Sequence, residues 1–99
     1  MIGDKMLAKV PINLEEIKKG DIDKEILRLA IIAELDAINL YEQMANFASD
    51  DALKKVLIDI AKEEKTHVGE FQALLLKHDE EQEEELRRGE EEVKEILDS

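Results

Sequence analysis

The chain has no cysteine and no tryptophan, a single proline, four glycines and an aromatic content of 3%. Without cysteine there is no disulfide framework and no thiolate metal site, so histidine and carboxylate are left as metal ligands. One proline and four glycines leave long stretches without a helix breaker. A 99-residue chain so poor in aromatics can hardly close a large core alone, which predicts oligomerisation. No run is apolar enough to span a bilayer, and the N-terminus shows no signal-peptide pattern. Net positive charge is missing too. A balance of −12 argues against nucleic acid and anionic membrane as partners and is compatible with gathering cations. The expectation is one small, soluble, cytoplasmic domain over residues 1–99.

What the chain does have is charge at helical spacing. Charged residues make up 40%, mostly Glu and Lys, and their periodicity predicts long helices rather than disorder. Residues 1–20 read as an N-terminal arm, with Pro11 and Gly20 bounding a possible turn of helix over 12–19. A first helix is expected over 21–47, capped by Asp21 or Asp23, and a second over 50–77, capped by Ser49 or Asp50. The short link between them forces an antiparallel hairpin. Asp79 with Gln82 forms a capping box for a third helix over 80–97. That helix is strongly acidic and carries few apolar residues, so it is expected to pack on another subunit.

Three polar residues interrupt apolar stripes. On the first helix, Glu34 stands in the series Leu27, Ile31, Ile38, Tyr41, Ala45. On the second, Glu64 and His67 stand in the series Leu57, Ile60, Phe71, Leu74. Glu64 and His67 are three residues apart and leave one helix face together. An ionisable group facing a core costs several kcal/mol unless it is paired or bound to a metal. In a Glu-rich helical chain a lone Glu-x-x-His arises by chance. Here the hairpin register adds to it. Glu34 lies 15 residues before Ser49 and Glu64 lies 15 after it, which puts the two carboxylates at one height. His67 follows one turn on.

The ligand count carries the argument to assembly. A di-iron four-helix bundle takes one Glu from each of two helices and a Glu-x-x-His from each of the other two. This hairpin supplies one of each, so two copies related by a two-fold axis complete the set. The expected fold class is all-α: an antiparallel two-helix hairpin plus a short C-terminal helix, completing a four-helix bundle by dimerisation. Carboxylate-rich ligation with one imidazole per metal suits iron, with manganese or zinc as substitutes.

The run from Ile31 to Gln43, Ile-Ile-Ala-Glu-Leu-Asp-Ala-Ile-Asn-Leu-Tyr-Glu-Gln, followed by Glu63-Glu64-Lys65-Thr66-His67, closely resembles the encapsulated ferritins. These are short ferritin-like proteins housed in encapsulin nanocompartments. The resemblance covers about residues 25–97. It implies a ferroxidase that oxidises Fe(II) with dioxygen, for iron storage or detoxification, at a di-iron centre holding two Fe per dimer. It implies Glu34, Glu64 and His67 as ligands, with one carboxylate of each chain bridging the irons, and Tyr41 close to the site. Asp36 matches an acidic position that some members use for a peripheral metal on the access path, whereas Ala33 stands where some have a second carboxylate. A ring-shaped decamer of five dimers inside an encapsulin shell in the cytoplasm is implied as well. Up to Ser99 no shell-docking tail is visible, so free cargo and a domain fused to the shell protein both stay open. The alternatives are a rubrerythrin-like peroxidase, weakened by the lack of cysteine, and an acidic helical interaction or metal-buffering module without turnover.

Overall fold

The computed structural model describes residues 21–99; the expected arm over 1–20 lies outside the described residues. Three helices follow one another: α1, Ile22–Phe47; α2, Asp51–His78; and α3, Glu80–Asp98. There is no strand among the described residues. The all-α class, a hairpin with a third helix, is the one expected.

Local chemistry sets the ends of these helices. Asp23 and Glu25 put negative charge in the first turn of α1, against the positive end of its dipole. At the other end Ala48 turns into extended backbone, and its N–H donates to the Met44 carbonyl at 2.9 Å. Two residues later the Asp50 carboxylate accepts from the Leu53 N–H, also at 2.9 Å, and starts α2. The three residues 48–50 are too few for anything but an antiparallel return. Lys77 and His78 place basic side chains in the last turn of α2. Asp79 then does two jobs. Its Oδ1 accepts from the Gln82 N–H at 3.0 Å, which caps α3. Its Oδ2 receives the Arg28 guanidinium at 2.8 Å, which ties the root of α3 to α1.

The hairpin core is a seam one side chain thick. Leu27, Ile38 and Ala45 of α1 are buried, and Ala61 and Leu75 of α2 are buried with them. On α1 the seam follows the expected series through Glu34. On α2 it does not. The expected stripe ended on Leu74, which is 48% exposed. The line through the two buried residues, Ala61 and Leu75, runs instead by way of Leu57, Glu64, Val68 and Phe71, all half-buried, in alternating steps of three and four. The correction is a rotation of α2 by less than a quarter turn. It follows from which residues are small: Ala61, at 2% exposed, lets the two backbones approach, whereas Ile60 would hold them apart. Glu64 stays on the seam, and His67 moves to its edge.

By helical phase the hairpin has two broad faces. One shows Ala30, Ala33, Ala37 and Met44 beside His67 and Leu74. The other shows Glu42 and Asn46 beside Ile58 and Lys65. Gly69 lies toward the second face. A Cβ there would meet open space, so no close approach within the chain calls for glycine. Beyond its root α3 leaves the hairpin: every residue from Glu83 onward is exposed, including Leu86, Val93, Ile96 and Leu97.

Candidate metal centre

Glu34 reaches the site from the middle of α1, and Glu64 and His67 reach it from the middle of α2. The antiparallel return brings the two helices together at matched height. One ligand atom from each residue can be chosen so that all three lie within 4.8 Å of one another. His67 Nδ1 stands 3.4 Å from Glu34 Oε2 and 3.6 Å from Glu64 Oε2. These separations are at the long limit of hydrogen bonding. They leave a loose polar trio rather than a locked network. Donor atoms around one small divalent ion sit about 2.0–2.2 Å from it and so at most ~4.4 Å apart. Small side-chain rotations therefore suffice for the trio to hold one ion. Two hard anionic oxygens with one imidazole nitrogen are a donor set that suits iron.

The trio is not sealed inside this chain. The side chains of Glu34 and Glu64 are 18% and 19% exposed, and that of His67 is 41% exposed. The site opens on the hairpin face that shows the alanines of α1. Among the described residues the ion pairs made by Glu34 and Glu64 are with His67 alone. The neighbouring Lys65 points elsewhere and pairs with Glu42 at 3.1 Å. Two carboxylates thus share one imidazole, and among the described residues no lysine or arginine forms an ion pair with either.

The other expected site residues fall outside this cluster. Tyr41 is half-buried on the same seam as Glu34, seven residues and so about 10 Å along the helix. Asp36 is half-buried; two residues on from Glu34, it leaves the far side of α1 and is not one of the trio. His78 is exposed at the end of α2, as its place in the last turn predicts. One feature was missed from the sequence. Lys54, Lys62 and Lys65 line a groove on the opposite face with Ile58 and Ala61 as part of its floor. Their spacing of eight and three residues was the available signal, and it was hidden among the many lysines of α2.

Comparisons with known proteins bear on the family and the fold. The family whose model matches the chain is EncFtn-like, over residues 10–98. The ferritin-like-encapsulin shell fusion protein of Pyrococcus furiosus is 68% identical over 72 residues, which are 73% of this chain and 21% of that protein. The chain thus spans about a fifth of the length of this curated relative. The crystal structure of the encapsulated ferritin domain from Pyrococcus furiosus superposes with a TM-score of 0.79 at 55% identity. That superposition covers 94% of this chain and 95% of the other.

Proposed function

Because the chain belongs to the EncFtn-like family, we propose that it handles iron as a ferroxidase, with Fe(II) as substrate and dioxygen as electron acceptor. The observation that carries this reading is the level placement of Glu34, Glu64 and His67 on an open face of the hairpin. Ferrous ions give up electrons to dioxygen when bound in such a donor set, and hard carboxylate oxygens favour the ferric charge. The work of this chain is to bind and orient. Glu34 and Glu64 attract and hold Fe(II), with one of them shared between two ions. His67 contributes its ring nitrogen in the neutral form. Tyr41 lies two turns along the seam as a hydroxyl close to the site, and Asp36 serves a peripheral metal on the way in.

The catalytic unit in this reading is a dimer. One chain carries three ligands, half of the set that a di-iron bundle needs. A second hairpin laid across the alanine-bearing face doubles the trio to four Glu and two His around two Fe. That contact also buries the carboxylates, which is unfavourable unless cations neutralise them. Metal binding and dimerisation are therefore coupled. Further assembly into a ring of five dimers, placement within an encapsulin shell in the cytoplasm, and storage of the oxidised iron there complete the proposal. The fusion protein of Pyrococcus furiosus, named for its shell, supports the shell as partner. The chain acts as one domain in this reading, with residues 1–20 as an arm.

The test is Fe(II) oxidation followed with an oxygen electrode, for the unmodified chain and for Glu34→Ala, Glu64→Ala and His67→Ala. Oxidation that consumes dioxygen and is lost in all three variants is expected. Equal rates in the variants would overturn the site. Preferential consumption of added hydrogen peroxide would favour the peroxidase reading.

A further inference from the structure

At the open end of the hairpin, where α3 leaves it, a groove runs between all three helices. Ile31 and Ile32 of α1, Leu75 of α2 and Leu86 of α3 line it, with Arg28 and Gln82 beside them. By helical phase Arg28, Ile31 and Ile32 lie on the side of α1 that carries Glu42, away from the alanines and the trio. Leu35 continues the line at helical spacing and is 50% exposed. Leu86 is 38% exposed. The walls are thus largely apolar, and the groove stays open among the described residues.

Residues 1–20 join the hairpin at this same end, through Asp21 at the N-cap of α1. Within them the stretch 10–17 holds Val10, Ile12, Leu14 and Ile17, four apolar residues in eight. Burying such side chains is favourable wherever an apolar surface is in reach. Glu15 and Glu16 stand between Leu14 and Ile17. Arg28 donates to Asp79 through one nitrogen, and a guanidinium has further donors to offer. An apolar stretch with two carboxylates therefore suits an apolar groove with a guanidinium at its side.

The register agrees with this chemistry. Gly20 directly precedes Asp21 and has the backbone freedom that a sharp reversal needs. Leu14 lies seven residues before Asp21 and Arg28 seven after it; Ile12 lies nine before and Ile31 ten after. A helical turn over 12–19, run back beside α1, brings these pairs to about the same height. Extended backbone, at about 3.3 Å per residue, reaches further still.

We infer that residues 10–17 fold back along α1 of their own chain and fill the groove between Ile31, Ile32, Leu75 and Leu86. The segment then covers the open end of a hairpin whose seam is one side chain thick, and it braces the root of α3 from the side opposite the metal centre. No residue of the trio takes part, so the inference stands apart from the iron reading.

The experiment is disulfide trapping in the full chain, joined to thermal melting. The chain has no cysteine, so introduced thiols meet no native one. Ile12→Cys with Ile32→Cys is expected to form a disulfide on mild oxidation. Ile12→Cys with Ala33→Cys, whose second position lies on the alanine face, is expected to form none. Non-reducing denaturing electrophoresis separates a bond within one chain, at monomer mass, from a bond between two, at dimer mass. Leu14→Asp is expected to lower the melting temperature by about 4 °C or more, because it puts a charge against apolar walls. It alters no residue of the hairpin, so it answers even if the cysteine pairs disturb the groove. No bond in the first pair, or an equal bond in the second, overturns the inference. So does an unmoved melting temperature in Leu14→Asp. A bond found at dimer mass alone also overturns it and gives the groove to the same stretch of another copy. Iron oxidation enters none of these readouts, so failure here leaves the metal centre standing, and failure at Glu34 leaves the groove standing.

Discussion

At the scale of single residues, the seam and the trio respond to substitution in different ways. Ala61 is 2% exposed, the lowest among the buried apolar residues described. A larger side chain has no room there, so Ala61→Leu is expected to destabilise the hairpin by about 1–3 kcal/mol. Ala52→Leu, at an exposed position, should be near neutral. Denaturant midpoints of the two variants check this. The trio contributes little packing, and its loss should show in chemistry. Glu34→Ala, Glu64→Ala and His67→Ala are each expected to slow Fe(II) oxidation by ~100-fold or more, since even partners of metal ligands are worth about 10–100-fold. Helicity should hold in all three. Glu34 and Glu64 were legible in the sequence because an acid on an apolar stripe conflicts with its neighbours. His67 was read on the same stripe as Glu64; its place at the seam's edge depended on which small residue of α2 faced α1.

At the scale of elements, capping decides where helices begin, and Asp79 shows how that depends on pH. The Gln82 backbone N–H holds the Asp79 carboxyl below the usual carboxylate range, burial opposes this, and Arg28 adds to the lowering. Because the folded value lies below the unfolded one, the stabilisation is fully present above the ordinary value of 3.8 and is lost as pH falls through the depressed value. An NMR titration of the Gln82 amide should show a midpoint below 3.8, and Asp79→Asn should abolish that step. A midpoint at or above the ordinary value would remove Arg28 and the cap as the anchor of α3. The capping signal itself was plain in the sequence, since Asp79 and Gln82 are spaced for it. The Arg28 contact was not, because it joins residues 51 positions apart.

At the scale of the whole molecule, a seam this thin leaves both faces of the hairpin, and all of α3 beyond its root, uncovered by the described residues. The core holds five buried apolar residues among those described, far short of what a stable isolated domain commonly needs. Assembly and metal should therefore be coupled. Added anaerobically, Fe(II) is expected to raise both the mass and the melting temperature of the chain, and a chelator to reverse both. His67→Ala should show neither effect. A metal-free chain already at its full mass and stability would separate assembly from iron.

The sequence by itself determined the helices, their short antiparallel link, the caps and the matched heights of Glu34 and Glu64. All of these follow from local chemistry and from counting along a regular helix, save the cap of α1, where Asp21 stands at the N-cap without a side-chain hydrogen bond. Tertiary structure decided how α2 turns about its own axis, and with it that Ala61 and Leu75 rather than Ile60 and Leu74 meet α1. It also decided that His67 stands at the rim of the seam, that Arg28 holds the root of α3, and that three lysines gather on the face away from the metal centre. The reason is that helical period fixes which residues share a stripe, whereas the choice between adjacent stripes depends on the volumes of side chains contributed by the other helix.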